Sequence, residues 1–511
     1  MIHYPVVQLM WRYVRVHLLL CLLVFVCPWI GNAEETNGPA EEVRGILGQA
    51  LEAATEIQNP LHQDSIIDNI AATYAVMGDP NLALELAERK NNGNRSSTLI
   101  TISRALFERG QGRQAADIIS YITDDDGKAW MLGELGRYHI ARGEQGEAKE
   151  RLNQALKSAE RIVYGLRRTG IMLRIVDAQI SADDRNNAET TLRRTLELAL
   201  TTQDPFERDL EFILIMQMQA HRGDESGAFR TLEKIEDVGR RKRGIEEIAV
   251  ALAKGGNISR ATEIATSIKD SYFRDVALQG IAEAQAEAGD VDGALKTAGE
   301  IRRAERSKVI ALGHIVDTLV RRRDFARAQS VLSQAVEATN QISDRAELLG
   351  GLARRQAEIN DRQGATRNIR QAIRALKGVR EKRFLVHPQL AIVQAQVQVG
   401  DLTGALQLAA KIVSEYFQDR AYCEITEFKA WAGDIKGAVD AAGLSHGMGR
   451  GYNLKVIAKI QAYTGDKKGA LAWAITQTGP SDRALALLGV AEGLLHEGKP
   501  SNNCPKKHDH F

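Results

Sequence analysis

The chain has 511 residues, with 67 Lys and Arg against 66 Asp and Glu, 44% hydrophobic residues and 5% aromatic ones. This near balance gives no electrostatic reason for a nucleic acid or an acidic membrane surface as partner, and neither is expected. The length allows several domains or one repeat array, and only 10 prolines leave long helices uninterrupted.

Residues 1–33 read as a signal peptide. Arg12 and Arg15 precede an apolar run from Leu18 to Ile30, followed by Gly31-Asn32-Ala33. That run is shorter than the ~20 residues a membrane span needs. Cleavage is therefore expected, with export to a periplasm or to the outside and no membrane span left afterwards. Leu20 and Val26 precede Cys21 and Cys27, where a lipoprotein anchor wants a small residue. Residues 34–62 form an acidic leader and a first helix, 63–498 a repeat array, and 499–511 a polar tail expected to be disordered. Export implies an oxidising compartment, yet only Cys423 and Cys504 would remain. Cys423 is expected to be a buried small hydrophobe, without a bridge to Cys504.

The repeat shows in the stretch Ile281-Ala-Glu-Ala-Gln-Ala-Glu-Ala-Gly289-Asp290-Val-Asp-Gly-Ala294. Its Gly289 has equivalents at Gly78, Gly110, Gly143, Asp183, Gly223, Gly256, Arg323, Asn360, Gly400, Gly433 and Gly465. Five residues after each stands alanine: Ala83, Ala115, Ala148, Ala188, Ala228, Ala261, Ala294, Ala328, Ala365, Ala405, Ala438 and Ala470. Eight residues before each stands Ile or Leu, from Ile70 to Ile457. The spacing predicts a helix ending at a left-handed turn residue and a second helix capped by the next residue, as Asp290 would cap by accepting from the Gly293 N–H. The invariant alanine marks a crossing where a larger side chain would force the helix axes apart. Each helix is expected to run about 13 residues, or about 20 Å. The intervals of 37 to 40 residues (Gly143 to Gly223, Arg323 to Gly400) imply longer second helices, one of them running from Ala148 toward Arg168. Asp and Asn tolerate the left-handed turn, whereas Arg323 implies strain. A half repeat with Val490 and Gly498 in register closes the array.

This pattern resembles the tetratricopeptide repeat, supported by the small residue after the Ile/Leu slot (Ala71, Gly136, Ala249, Ala282, Ala353, Ala458). The Trp and late Pro of that family's repeat are mostly missing, and its Tyr appears only occasionally, as Tyr74. The resemblance implies an all-α, right-handed superhelical solenoid of about twelve helix-turn-helix repeats. It further implies a concave face that holds a protein or peptide, so the chain is expected to be a non-catalytic scaffold. Two alternatives stay open. One is a cell-envelope enzyme or accessory resembling the helical superstructure of lytic transglycosylases; the other is a structural subunit of an envelope assembly.

No catalytic, metal or cofactor site is expected. Gly443-Leu-Ser445-His446-Gly447 matches a nucleophile elbow in letters but lacks the preceding strand that chemistry needs. Gly493 to Pro500 nearly spells a phosphate loop, with Pro500 where a hydroxyl should stand. His496, Cys504, His508 and His510 have no tight ligand spacing. Three basic clusters are candidates for an edge that attracts an anionic partner: Arg240, Arg241, Lys242 and Arg243; Arg302, Arg303, Arg306 and Lys308; Arg380, Lys382 and Arg383. All three are expected between a second helix and the next first helix.

Overall fold

A computed structural model describes residues 38–90, 92–379 and 381–495. The signal segment, the end of the repeat array and the tail lie outside them. The chain divides into Met1–Gly45 and Ile46–Phe511, and every repeat lies in the second unit. The described residues are helical with no strand. Helix α1 (Gly38–Thr55) is followed by twelve hairpins, each a first (A) and a second (B) helix. They are α2 (Pro60–Val76) with α3 (Pro80–Glu88), α4 (Asn92–Glu108) with α5 (Gly112–Ser120), α6 (Asp125–Ala141) with α7 (Gln145–Ala159), and α8 (Gly165–Ser181) with α9 (Arg185–Ala199). Next come α10 (Pro205–His221) with α11 (Glu225–Leu232), α12 (Val238–Lys254) with α13 (Ile258–Ser267), α14 (Ser271–Ala288) with α15 (Val291–Gly299), and α16 (Glu305–Arg321) with α17 (Phe325–Ala338). The last four are α18 (Ala346–Glu358) with α19 (Arg362–Leu376), α20 (Val386–Val399) with α21 (Leu402–Ala409), α22 (Glu415–Trp431) with α23 (Ile435–Ala442), and α24 (Gly447–Tyr463) with α25 (Lys467–Ile475). Helix α26 (Pro480–Leu495) ends the series. The protein is an all-α superhelical solenoid of tetratricopeptide-like repeats.

The expected turn is present in every hairpin. All twelve turn residues have positive φ, from 54° at Asp183 to 105° at Gly465. Gly289 (φ 88°) closes α14, and Asp290 accepts from the Gly293 N–H at 2.9 Å. Arg323 adopts φ 60°, a region that costs a non-glycine residue about 1–2 kcal/mol. Arg323→Gly should therefore raise unfolding stability by about 1 kcal/mol after glycine's own entropy cost, read from urea denaturation. All twelve alanines are fully buried, and all twelve Ile/Leu residues are at most 2% exposed.

Helix lengths depart from the even 13 expected. Most A helices have 17 residues and B helices 8 to 15. The extra residues sit where the spacing placed them: α7, α9 and α19 have 15 residues and α17 has 14. Helix α7 stops at Ala159, however, and Arg168 already belongs to α8. Cys423 is buried as expected, but it is disulfide-bonded, with its partner outside the described residues. That corrects the expectation of a plain buried thiol. Burial alone says nothing about bridging, which depends on where a distant cysteine comes to lie.

The array also meets itself. Helix α26 packs along α24 and reaches α2 of the first hairpin. Ser65 Oγ lies 3.2 Å from Tyr452 Oη, Arg109 donates to the Leu495 carbonyl at 2.7 Å, and Arg483 pairs with Glu56 at 2.7 Å. Close approach of α26 to α24 depends on two glycines. A Cβ at Gly489 would stand 2.2 Å from the Lys455 carbonyl oxygen, and one at Gly493 2.4 Å from that of Lys459. Val490, the residue in register with the Ile/Leu slot, is buried beside them; Gly498 lies outside the described residues.

Candidate functional site

Each A helix buries one stripe and leaves another free. That stripe includes the residues nine and six before the turn residue, most of them polar or charged, with apolar exceptions such as Leu214, Val250 and Val456. Adjacent hairpins bond across it. Arg174 donates to Glu134 at 2.6 Å, Arg137 to Asp177 at 3.2 Å, Gln217 to Glu247 at 3.3 Å and Gln394 to Glu424 at 2.9 Å. His314 lies 3.7 Å from Glu283. These rungs join neighbouring A helices along the exposed face. Sequence reading missed them, although polar partners at matching repeat positions were a visible signal.

Where the ends of the array meet, A helices from both ends line one hollow of about 1410 Å³. Its walls come from α2, α4, α6, α8, α24 and α26. Six cations (Arg104, Arg109, Arg167, Arg174, Lys455, Lys459) face six carboxylates (Asp64, Asp68, Glu108, Asp124, Asp126, Glu492). Most are spoken for. Lys90, 6% exposed, reaches in from α3's end to pair with Asp68, which also accepts from Thr98 at 2.6 Å. Burial raises the Asp68 carboxyl despite those two partners. Arg167 pairs with Asp126 at 2.5 Å, where burial again raises the carboxyl. Arg174 stacks 4.2 Å above the Trp130 ring, a favourable cation–π placement. Arg104 is exposed to the hollow with no partner among the described residues.

Glu492 on α26 sits between Lys455 at 2.5 Å and Lys459 at 3.3 Å, both on α24. Burial pushes this carboxyl up, but the two lysines prevail and hold it below the ordinary range. Its stabilising effect is thus complete above the unfolded value of about 4.3 and disappears as pH falls through the lowered one. Acid should loosen α26 first, seen as lower amide protection factors in residues 480–495 below pH 4 than at pH 7. Glu492→Gln should abolish that dependence.

The basic clusters are less free than their sequence suggests. Arg240 to Arg243 do not lie in a loop: Asp237 accepts from the Arg240 N–H at 2.7 Å and starts α12 ahead of them. Arg240 pairs with Asp209 at 3.4 Å, Arg241 donates to the Ile235 carbonyl at 2.9 Å, and Arg243 pairs with Glu247 at 3.3 Å. Arg306 pairs with Glu347 at 2.8 Å, and Arg383 with Glu381 at 2.7 Å. Arg306 and Lys308 are inside α16, and Lys382 and Arg383 inside a short 3-10 helix, Lys382–Leu385. Lys242, Arg302 and Arg303 stay exposed. Arg380 lies outside the described residues.

Ser445 accepts from Asn453 Nδ2 at 2.8 Å, while His446 Nδ1 lies 3.0 Å from Asp419. No bond joins Ser445 to His446, and the stretch links two helices. Most of the Gly493 to Pro500 stretch and all four tail residues proposed around a metal lie outside the described residues. Among the described residues no three His, Cys, Asp or Glu side chains form a metal cluster, and no helix is long and apolar enough to cross a membrane.

These stacked hairpins, with a polar A face around a hollow, define a helical-repeat scaffold. No protein-family model matches the chain, and no curated protein matches it. Among solved structures it is similar to the pentatricopeptide repeat protein PPR10 from maize, at 12% identity over 91% of this chain and 78% of that one, with a TM-score of 0.25. It is also similar to Ton1535 from Thermococcus onnurineus NA1, at 14% identity over 68% of this chain and 94% of that one, with a TM-score of 0.25. A circular tandem repeat protein is similar at 14% identity over 89% and 96%, with a TM-score of 0.18. At these scores nothing about partner or activity passes to this chain.

Proposed function

We propose that the protein is an exported, non-catalytic scaffold that holds a peptide or protein segment against its A helices. The hollow of about 1410 Å³ carries this reading. It is large enough for several side chains, and it mixes charged pairs, hydroxyls and the half-exposed Trp130. Such walls suit the main chain and polar side chains of a peptide. The equal count of cations and carboxylates suits neither a polyanion nor a polycation. The leader at residues 1–33 and the bridged Cys423 support export, because disulfides persist in oxidising compartments.

Selection of binders from a random peptide display library against the full chain tests the reading. Selected peptides should lose binding to a chain whose hollow is obstructed at one wall by Thr101→Trp. They should keep it when the exposed B-helix residue Lys296 is changed to Glu. Failure to select any peptide, or binding indifferent to Thr101→Trp, would remove the A-helix hollow as the binding surface.

A further inference from the structure

A second cavity, of about 570 Å³, lies along the A face where α8, α10 and α12 adjoin. Glu246 of α12 lines it. Its residue is only 6% exposed, and among the described residues its carboxyl has neither a hydrogen-bond nor an ion-pair partner. A carboxyl so placed stands out, because buried acids are ordinarily paired. The neighbouring cations are committed or remote. Arg243 pairs with Glu247 and Arg137 with Asp177, while Arg174 is shared between Glu134 and the Trp130 face. Lys254 and His221 are exposed at the rim. Leu214 and Met218 of α10, with Val250 one turn on from Glu246 along α12, supply apolar lining.

We propose that this cavity is a subsite for one cationic side chain, lysine or arginine, of the bound peptide. The ammonium or guanidinium meets Glu246, with Glu247 adjacent, and the aliphatic stem lies on Leu214, Met218 and Val250. This deepens the scaffold reading and rests on it. Left empty, the carboxyl pays for its burial: its pKa is pushed up to about 7, chiefly by desolvation, with Arg243 opposing and Glu247 adding to the rise. A cation arriving there restores the charged form, so the site favours positive over neutral side chains. Among the described residues Glu246 is the one buried acid without a hydrogen-bond or ion-pair partner, since Asp209, Glu211 and Asp275 all accept hydrogen bonds, and this would give the partner a register along the array.

Titration calorimetry on the full chain with acetyl-Gly-Lys-Gly-amide, its arginine analogue and its norleucine analogue tests the subsite. The lysine and arginine peptides should bind, and the norleucine peptide, equal in stem length, should bind about tenfold more weakly or not at all. Glu246→Gln should weaken the lysine peptide about tenfold. That variant should fold at least as well as the parent, since it removes a buried carboxyl, and a thermal melt checks this. Equal binding of lysine and norleucine peptides, or full lysine affinity in folded Glu246→Gln, would overturn the subsite. Thr101→Trp separates the two ideas. Display-selected peptides that lose binding to Thr101→Trp but not to Glu246→Gln would overturn the subsite while leaving the hollow as a binding surface.

Discussion

Gly489→Leu should destabilise the fold by about 1–3 kcal/mol and free the last helix from the first hairpin. The obstacle at that site is backbone. A single added carbon would already stand 2.2 Å from the Lys455 carbonyl oxygen, and a carbonyl locked in a helix cannot rotate away. Helices α24 and α26 must therefore separate, carrying Glu492 away from Lys455 and Lys459. Because α26 also touches α2, the loss should appear at the other end of the sequence. Amide exchange in α2 and α4 should quicken, while α12 to α16 stay as protected as before. Gly493→Leu should act alike, the obstacle there being the Lys459 carbonyl. Unchanged exchange in α2 would mean that α26 does not hold the ends together.

The second large effect is expected in the middle of the array. Ala294→Leu should cost about 1–3 kcal/mol by overpacking, measured by urea unfolding. Ala294 has no exposed surface and lies where α15 crosses α14. Three methyl-sized groups added there have no room without moving a helix, and the neighbouring hairpins transmit the shift along the stack. Lys296→Leu on the same helix is the control, since that side chain is exposed and should change stability by no more than about 0.5 kcal/mol.

The repeated turn and helix crossing were readable from the residues; the meetings of side chains from different helices were not. A left-handed turn and a methyl-sized crossing leave the same letters in every unit, so the glycines and alanines aligned without coordinates. Even Arg323 keeps the turn geometry, because the surrounding stack imposes it. The clamp behind the cap was overlooked though it too recurs. Gln285 Nε2 donates to Asp290 at 3.2 Å while accepting from Thr297 at 2.7 Å, and Gln356 does the same with Asp361 and Asn368. Glutamine reads as an ordinary helix residue, and its burial shows only when the partner helix is in place. Another hidden device is Asp275, fully buried, which accepts from the backbone N–H of Arg302, Arg303 and Ala304 and fixes the passage from one hairpin to the next. The hollow, the buried Glu246 and the bridge at Cys423 each depend on residues distant in sequence. No local pattern encodes such meetings.

The meeting of α26 with α2 also bears on how this chain can change over generations. An open stack tolerates duplication or loss of one unit, because each unit touches only its neighbours. Here a lost hairpin would leave Arg109 without the Leu495 carbonyl and Ser65 without Tyr452, and a gained one would push those pairs apart. The number of units is thereby selected together with the residues at the seam. Variants of this protein should differ in the lengths of their B helices and loops long before they differ in repeat number.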